Sequence, residues 1–466
     1  YKFAIESAKV LATYGIKSYI FESLRPTPEL SFAVRYLKCA GGIMITASHN
    51  PKEHNGYKVY DDTGCQLLPE AADQVVQYVN EVEDELNIKV FSDEEAYPYM
   101  TWIGEEVDEA YYKEVMAIEV NPGMDKSDFK IVFSPQHGTS NIAVRTCLTR
   151  LGYDLVPVLA QCAPDPDFSN TKSPNPEVPA SYELAIKKAK EVDADVVVIT
   201  DPDGDRLGVV AKHNGEYVLM SGNQSAAVYL EYILSQMKEK GTLPDNAVMY
   251  NTIVTSDLGE LVARSYGVDV EKTLTGFKFI GDKIRKYEQT HEKTFVFGYE
   301  ESYGCVIKDF VRDKDAVQAV LTAAEAGNFY KKQGKDLVDV LNELYAKHGT
   351  FKETQIALSK AGAAGAARIK EIMDNLRKDA PQEIGGVKVV KVEDYGNSTC
   401  SDGTTIQLPK SNVLKYYLED GSWIAARPSG TEPKCKFYFS IKGSDADDAA
   451  SKTEVFHKAM MEIIGE

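Results

Sequence analysis

Short apolar runs alternate with amphipathic segments along the first three quarters of the chain. The predicted strands are Ile16–Phe21, Gly42–Thr46, Lys130–Phe133, Val196–Thr200, Ala247–Tyr250 and Thr294–Phe297. The predicted helices are Tyr1–Tyr14, Ala71–Leu86, Ser181–Val192, Asn223–Lys238 and Lys314–Gln333. Strands and helices that alternate in this way usually form mostly parallel sheets with helices on their faces. The pattern therefore predicts an α/β fold for this part of the chain.

The last quarter of the chain has a different pattern. From about Phe351 onwards, a helix (Ala364–Leu376), several short strands and a final helix (Ala449–Ile464) predict a separate α+β domain. Upstream, the segment Ala163–Ala180 carries five prolines, and we expect it to be a loop without regular structure. A length of 466 residues favours about three domains.

Charge and composition exclude several classes of protein. The chain has 52 Lys and Arg against 71 Asp and Glu, a formal charge of −19, so nucleic acid and anionic membranes are not expected partners. No run approaches the ~18 apolar residues of a membrane span. Seven scattered cysteines, never in a CxxC pair, indicate reduced thiols and not a disulfide framework or zinc site. We therefore expect a cytoplasmic protein. The sequence leaves its oligomeric state open between a monomer and a weak dimer.

A first polar loop, Thr46–Pro51, follows the predicted strand Gly42–Thr46 and reads TASHNP. α/β proteins place their ligands at the carboxyl ends of parallel strands, so the Ser48 hydroxyl is a candidate functional group. Lys58 adds a cationic group a short loop away. The alternative is an ordinary turn in which Ser48 caps the backbone.

A second loop, Asp201–Arg206, directly follows the strand Val196–Thr200 and reads DPDGDR. Its three aspartates alternate with Pro and Gly and can turn three carboxylates inwards, which suits Mg²⁺. Without a cation the clustered carboxylates would repel one another, so a solvated acidic turn is the weaker alternative.

A third loop, Gly298–Gly304, follows the strand Thr294–Phe297. Glu300 and Ser302 stand two residues apart and could both face a sugar hydroxyl. Upstream, Thr275–Lys278 forms another Gly-containing turn. Each of these signals is weak by itself, and a loop without a chemical role is an open alternative.

A fourth loop, Arg427–Lys434, reads RPSGTEPK. Its hydroxyls, its unobstructed backbone N–H groups and its two cationic ends are suited to an anion, because Arg can bind a phosphate through two parallel hydrogen bonds. The alternative is a capped surface turn. Together, the four loops combine an exposed serine, a divalent-metal site, polyol-binding groups and a phosphate-binding loop, a set that fits phosphoryl transfer to and from a sugar phosphate.

In this order and spacing, the four loops resemble those of the α-D-phosphohexomutase family, the phosphoglucomutases and phosphomannomutases. TASHNPKEHNGYKVY (Thr46–Tyr60) and Gly298–Gly304 are most similar to the branch of phosphoglucomutase-2 and phosphopentomutase. The resemblance implies three related α/β domains with mixed or parallel sheets and a C-terminal α+β domain around a central cleft. The expected boundaries are 1–105, 106–222, 223–350 and 351–466.

The resemblance also implies catalytic roles. Ser48 would carry a phosphate, Arg206 would lie beside the transferring phosphoryl group, and Lys58, aided by His49, would assist proton transfer. Lys58 could accept a proton only if its pKa fell from ~10.4 towards neutrality. The implied Mg²⁺ ligands are Ser48 (through a phosphoserine oxygen), Asp201, Asp203 and Asp205.

The substrate would be a sugar phosphate, with a sugar 1,6-bisphosphate as activator. By resemblance, Glu300 and Ser302 would hold sugar hydroxyls, and Thr275 and Gly276 would orient the ring. The implied ligands of the non-reacting phosphate are Arg427, Ser429, Gly430, Thr431 and Lys434.

One feature departs from the family pattern. Its members carry a Gly-Thr-x-Gly-x-Arg segment near their N-terminus, and the chain, which opens directly in a helical pattern at Tyr1, has none. We therefore expect the first domain to be incomplete at its N-terminus.

The expected function is reversible transfer of phosphate between the C1 and C6 hydroxyls of glucose phosphate. Mannose or pentose phosphate as substrate, and a sugar-1,6-bisphosphate synthase on the same fold, are open alternatives. A phosphohydrolase is more distant: a strand followed by Asp-x-Asp-Gly also opens the haloacid-dehalogenase phosphatases, in which Asp201 would be the nucleophile. A catalytically silent binding protein is disfavoured because Ser48 and the three aspartates are retained.

Overall fold

The computed structural model describes residues 1–430 and 433–466, which divide into two compact units. The first unit contains Tyr1–Asn251, Tyr266–Glu271 and Gly276–Val340. The second unit contains Thr252–Ser265, Lys272–Thr275 and Leu341–Glu466. None of the described helices has both the length and the hydropathy needed to cross a membrane.

Helices and strands alternate along most of the chain. The helices are α1 Lys2–Thr13, α2 Thr27–Tyr36, α3 Pro69–Asn80, α4 Asp93–Ala96, α5 Glu105–Met116, α6 Asn141–Arg150, α7 Glu183–Val192, α8 Gly222–Glu239, α9 Asp257–Ser265, α10 Phe277–Thr290, α11 Ala316–Lys331, α12 Leu337–His348, α13 Gly362–Lys378 and α14 Ala446–Ile464. The strands are β1 Ser18–Phe21, β2 Gly41–Ile45, β3 Tyr57–Asp61, β4 Met100–Ile103, β5 Lys130–Ser134, β6 Asp154–Pro157, β7 Val196–Thr200, β8 Leu207–His213, β9 Glu216–Met220, β10 Ala247–Thr252, β11 Asp269–Thr273, β12 Thr294–Glu300, β13 Gly304–Val306, β14 Thr350–Ser359, β15 Glu383–Ile384, β16 Val387–Asp394, β17 Thr399–Cys400, β18 Leu414–Leu418, β19 Trp423–Pro428 and β20 Lys434–Gly443.

The sheets of the first unit mix parallel and antiparallel pairs. A five-stranded sheet has the order β6-β5-β7-β8-β9, with β5 parallel to β6 and β7, and β8 antiparallel to β7. A four-stranded sheet has the order β11-β10-β12-β13. Nearer the N-terminus, β1 pairs with β4 in parallel, and β2 pairs with β3 in an antiparallel hairpin.

Strand β7 lies in the middle of the five-stranded sheet because its sequence, Val-Val-Val-Ile-Thr, suits a strand covered on both faces. All five residues are buried, and Val197 and Ile199 pack in one core with Ala185 and Ala189 of α7. β-branched side chains pack well on such a surface. This buried strand sets the position of the polar loop that follows it.

The second unit is built on one antiparallel sheet with the order β14-β20-β19-β18-β16-β15, and β17 pairs with β16. Helices α13 and α14 supply Met373 and Phe456 to its core, which also contains Phe437 and Ile424. The α+β character predicted for this part of the chain is confirmed, although β14 and β20 are longer than the short strands expected.

Most predicted elements are present, and two differ in an informative way. The helix predicted over Ala71–Leu86 ends at Asn80, because its continuation is acidic and negative charge at a helix C-terminus is unfavourable. The helix predicted over Lys314–Gln333 begins at Ala316, since Asp315 caps it by accepting hydrogen bonds from the N–H groups of Val317 and Gln318. Lys314 therefore lies outside the helix.

Candidate active site

The loop between β7 and β8 brings Asp201, Asp203 and Asp205 together. All three are buried, and each offers an oxygen that lies within 4.8 Å of the others. Gly204 has φ +70°, and a Cβ there would lie 3.0 Å from Cβ of Pro26, so the turn requires glycine. The sequence prediction of three converging carboxylates agrees with this geometry.

Backbone hydrogen bonds join this loop to three segments that are distant in the sequence. The carbonyls of Pro202, Asp203 and Gly204 accept hydrogen bonds from N–H groups at three distant places in the sequence. These donors are Thr139 (2.8 Å), Thr27 (2.8 Å) and Ala316 (3.2 Å), respectively.

Two lysines, the half-buried Lys58 and the buried Lys314, offset the negative charge. Nζ of Lys58 lies 3.0 Å from Oδ2 of Asp203 and 3.6 Å from Oδ2 of Asp205. Nζ of Lys314 lies 3.1 Å from the same Asp205 oxygen. Burial and the two neighbouring carboxylates raise the pKa of Asp201 well above its usual value. Burial alone would also raise the pKa of Asp203, but the charges of Lys58 and Lys314, together with hydrogen bonds from Lys58 and Asp201, outweigh burial and lower that pKa.

The residues of this loop fit a divalent cation. Within the described residues, Oδ1 of Asp203 and Oδ1 of Asp205 are buried and accept no hydrogen bond, although a buried carboxylate oxygen normally has a partner. Three carboxylates around one point supply hard oxygen ligands of the kind that Mg²⁺ takes.

Ser48 lies in a strained turn beside this cluster. Its φ is +54°, a left-handed conformation that is costly for a residue with a Cβ. Its Oγ donates a hydrogen bond to Oδ2 of Asp201 (3.1 Å), and its N–H donates to Oγ1 of Thr46 (2.8 Å). The expectation that Ser48 follows a parallel strand is wrong, because β2 pairs antiparallel with β3 and the loop joins the two strands of a hairpin.

The two strands of the hairpin approach each other closely at Thr46 and Gly56, on either side of the turn that carries Ser48. The N–H of Thr46 donates to the carbonyl of Gly56 (3.1 Å), and a Cβ on Gly56 would lie 2.2 Å from the carbonyl oxygen of Thr46. Only glycine allows this close approach. The contact fixes the positions of the two ends of the turn that carries Ser48.

His49 lies next to the serine hydroxyl. Its Nδ1 is 3.1 Å from Oγ of Ser48, and burial together with nearby Arg206 lowers the pKa of His49 to about 4. The imidazole is therefore neutral at physiological pH, and it lies within hydrogen-bonding distance of the hydroxyl.

The pKa of Lys58 is shifted in the direction opposite to the one expected. Burial favours the neutral amine, but the carboxylates of Asp203 and Asp205 outweigh burial and raise the pKa of Lys58 above its ordinary value. The shift is thus opposite to the fall that a proton acceptor needs.

Arg206 and Glu300 lie near the same cluster. Nη1 of Arg206 donates to Oε1 of Glu177 (2.9 Å), and its Nε is 3.8 Å from Asp205. Glu300, at the end of β12, is buried and accepts a hydrogen bond from Oγ of Ser302 (3.0 Å). The predicted pair of Glu300 and Ser302 is therefore in contact.

The second unit contains the predicted phosphate loop. Arg427 lies near the end of β19 and Lys434 begins β20, and the N–H of Ser429 donates to the carbonyl of Lys434 (2.8 Å) to close the turn. Gly430 is exposed at this turn, and Thr431 lies outside the described residues. The structure thus brings Arg427, Ser429, Gly430 and Lys434 into one turn.

The other two predicted substrate residues are consecutive but belong to different units. Thr275 belongs to the second unit, and its Oγ1 is buried without a hydrogen bond among the described residues. Gly276 belongs to the first unit and precedes α10 with φ +116°, a conformation open to glycine.

Four family models match consecutive parts of the chain. They describe the α/β/α domains I, II and III of phosphoglucomutase/phosphomannomutase, at residues 1–86, 109–215 and 221–348, and the C-terminal domain, at residues 366–458. The chain belongs to the phosphoglucomutase/phosphomannomutase family. The expected family and the α/β fold class, with three α/β/α domains and a C-terminal domain, are thereby confirmed.

Curated relatives in this phosphoglucomutase/phosphomannomutase family include bacterial phosphoglucomutases. The chain is 39% identical to the phosphoglucomutase of Staphylococcus epidermidis over 459 residues, which is 97% of this chain and 82% of the relative. It is also 39% identical to that of Staphylococcus aureus over 458 residues, or 97% of this chain and 81% of the relative.

Solved structures of phosphohexomutases share the fold. Parafusin, a phosphoglucomutase of Paramecium, matches with a TM-score of 0.72 and 19% identity over 99% of this chain and 86% of that one. The N-acetylphosphoglucosamine mutase of Aspergillus fumigatus, solved with GlcNAc-6P and magnesium, matches with a TM-score of 0.56 and 14% identity over 100% and 98%. At this identity the likeness establishes the fold of the phosphohexomutases.

Sequence reasoning in this phosphohexomutase chain missed three residues of the site. The sequence pattern predicts Lys314 on a helix and Glu177 in a loop, and it assigns no role to Glu177 or Asp313. In the structure Asp313 accepts a hydrogen bond from the hydroxyl of Tyr60 (2.7 Å) and contacts Lys314. The run Arg-Asp-Lys-Asp at 312–315 was the available signal, because so many charges before an apolar helix are unusual.

A second group of possible metal ligands has a structural explanation. His213, Asp336 and Asp339 lie close together, with 2.9 Å between Nδ1 of His213 and Oδ2 of Asp336. The two aspartates also accept hydrogen bonds from backbone N–H groups at the start of α12. This arrangement is that of a helix cap.

Proposed function

We propose that the chain is a phosphosugar mutase that moves phosphate reversibly between the C1 and C6 hydroxyls of glucose phosphate. The observation that carries the proposal is the 3.1 Å contact between Oγ of Ser48 and Oδ2 of Asp201, within a cluster of three buried aspartates. A serine hydroxyl beside a site suited to Mg²⁺ is the arrangement that phosphoryl transfer requires. The names of the relatives support glucose phosphate as the first substrate to test.

In the proposed reaction Ser48 carries the phosphoryl group in the resting enzyme. The free sugar hydroxyl attacks that group, and the bond between phosphorus and Oγ of Ser48 breaks as the new bond to the sugar forms. The sugar bisphosphate then turns, and Ser48 takes up the other phosphate. A sugar 1,6-bisphosphate would serve as activator because it phosphorylates the bare serine.

Asp201, Asp203 and Asp205, with a phosphoserine oxygen, would hold Mg²⁺. When bound, this ion would neutralise charge on the phosphoryl group and on the leaving serine oxygen.

The chain's own cations share this electrostatic work. Lys58 and Lys314 contact the aspartate cluster, and Arg206 lies beside it, so three positive charges are available to a phosphoryl group placed at Ser48. His49 lies within 3.1 Å of Oγ of Ser48 and could accept its proton when the serine attacks the bisphosphate.

The remaining predicted residues would bind substrate. We propose that Glu300 and Ser302 hold sugar hydroxyls, that Thr275 and Gly276 orient the ring, and that the turn at 427–434 binds the non-reacting phosphate through Arg427 and Lys434. The seven cysteines are free thiols, which supports a cytoplasmic location.

The test compares the wild-type chain with Ser48→Ala. Both are incubated with Mg²⁺ and glucose 1,6-bisphosphate, protein-bound phosphate is measured by intact mass, and conversion of glucose 1-phosphate is followed. Mannose 1-phosphate and ribose 1-phosphate are run in parallel. Ser7→Ala, in a partly exposed position on α1, is the matched control.

We expect the wild type and Ser7→Ala to carry phosphate and to convert one of the three sugar phosphates. Ser48→Ala should carry no phosphate and show no turnover. Normal turnover by Ser48→Ala would overturn the assignment. Steady release of inorganic phosphate without isomerisation would favour the phosphohydrolase. Phosphoserine without conversion of any sugar would favour a bisphosphate synthase.

A further inference from the structure

The carboxylate of Asp203 is held asymmetrically. Its Oδ2 accepts hydrogen bonds from Nζ of Lys58 (3.0 Å), Oγ1 of Thr27 (3.3 Å) and Oγ1 of Thr46 (3.3 Å). Its Oδ1 is buried and, among the described residues, accepts none. Three donors on one oxygen leave the other oxygen as the one available to a cation.

Thr27 contacts Asp203 at two points. Besides the hydroxyl contact, its backbone N–H donates to the carbonyl of Asp203 at 2.8 Å. Thr27 is completely buried and is the first residue of α2, so its side chain has no alternative contact with solvent.

The segment that carries Thr27 is rigid. Pro26 and Pro28 flank the threonine, and each restricts its own φ angle. Arg25 is anchored by two parallel hydrogen bonds to Asp108, both of 2.7 Å. Because other contacts fix this segment, the position of the Thr27 hydroxyl can determine the rotamer of Asp203.

We propose that Thr27 is a positioning residue for Asp203: its hydroxyl keeps Oδ2 turned towards the protein, so that Oδ1 faces a divalent cation. The inference rests on the proposed function only in taking the three aspartates as the metal site. Thr27 does not contact the reacting atoms, and no sequence motif singled it out. Partners that orient a metal ligand typically contribute about 10- to 100-fold to metal affinity.

The test measures Mn²⁺ binding to the whole chain by electron paramagnetic resonance of the free ion, with mutase kinetics at graded Mg²⁺. Thr27→Val removes the hydroxyl at nearly constant volume, Thr27→Ala removes it with less bulk, and Thr27→Ser retains it. Thr322→Val is the control, because Thr322 is buried but its hydroxyl donates to the carbonyl of Gln318 in its own helix. Asp203→Asn is the reference for loss of the metal ligand.

We expect the Kd for Mn²⁺ to rise about 10-fold in Thr27→Val and Thr27→Ala, and to change less than about 2-fold in Thr27→Ser and Thr322→Val. Saturating Mg²⁺ should restore most of kcat in Thr27→Val. Wild-type affinity in both Thr27→Val and Thr27→Ala, with binding lost in Asp203→Asn, would overturn the inference and leave the proposed function standing. If the wild type binds no Mn²⁺, the metal site itself, and with it the proposed function, is wrong.

Discussion

Nζ of Lys415 lies 3.9 Å from the centroid of the Trp423 ring, and no part of the lysine is exposed. The same nitrogen donates a hydrogen bond to the carbonyl of Ile253 (2.8 Å) and lies 4.8 Å from the ring centroid of Tyr417. Burial, together with the nearby positive charge of Lys272, lowers the pKa of Lys415 from 10.5 to about 7. Asp257, Glu260 and Glu393 oppose this shift but do not cancel it.

Lys415 should make the stability of the second unit depend on pH. Between about pH 7 and pH 10.5 the unfolded chain holds a proton on Lys415 that the folded chain has lost. The free energy of unfolding should therefore rise with pH across this window, by up to about 1.4 kcal/mol per pH unit. Lys415→Met should lack this rise and be at least as stable at pH 7.

Urea unfolding at pH 7 and pH 9.5 checks this, with Trp423 fluorescence as the probe. The chain has two tryptophans, so Trp102→Phe in both proteins leaves Trp423 as the only reporter. An equal pH slope with and without the lysine would contradict the prediction.

Glu29 should have the opposite effect in the first unit. It is completely buried. Burial is the main cause that raises its pKa well above the usual value, and the nearby Asp108 adds to the shift. Because the unfolded chain ionises this residue above ~4.3, the folded state holds the extra proton and loses stability as pH rises. Glu29→Gln, which resembles the protonated acid, should be more stable than the wild type at pH 8.

Thermal unfolding at pH 5 and pH 8 measures the effect, with the exposed Glu83→Gln as control. The gain from Glu29→Gln should be larger at pH 8 than at pH 5. A gain that is independent of pH would show that the carboxyl is not protonated in the folded chain.

Gly56→Ala should distort the turn that carries Ser48. The new methyl would lie 2.2 Å from the carbonyl oxygen of Thr46, so the hairpin must open. A misplacement of about 1 Å at a reacting group can lower the rate about 100-fold, and we expect a fall of that order in mutase turnover and serine phosphorylation. Gly123→Ala, where a Cβ meets nothing within 4 Å, should leave both unchanged. Full activity of Gly56→Ala would show that the turn tolerates a shift.

Tyr60→Phe should destabilise the first unit. The hydroxyl of Tyr60 donates to Oδ2 of Asp313 at 2.7 Å, and both residues are buried. Its removal leaves a buried carboxylate with one donor fewer, which typically costs about 1–3 kcal/mol. The exposed Tyr14→Phe is the control in urea unfolding, and a loss no larger than that of the control would count against the prediction.

Local pattern predicted much of the fold. The bounds of Val196–Thr200 agree with β7 because a β-branched run between a helix and an acidic turn leaves few alternatives. The predicted convergence of Asp201, Asp203 and Asp205 after this strand also agrees with the structure, because alternating Pro and Gly favour a sharp turn.

Features that depend on distant contacts could not be predicted in this way. Lys314 reaches Asp205 across more than a hundred residues, and nothing in its neighbourhood indicates that partner. The raised pKa of Lys58 has the same origin, because two carboxylates from the distant loop between β7 and β8 outweigh its burial. The antiparallel pairing of β2 with β3 is likewise not predicted, because the sequence pattern indicates a functional loop at Lys58 and not a strand.

The three carbonyls of Pro202, Asp203 and Gly204, each held by an N–H group from a distant segment, also bear on how the chain folds. These three hydrogen bonds form only when the segments that carry Thr139, Thr27 and Ala316 have reached the loop. Contacts of such long sequence separation form late, because the entropy of closing the intervening chain is lost first. The aspartate cluster should therefore assemble only after the folding transition state, and substitutions within it should speed unfolding while leaving the refolding rate nearly unchanged.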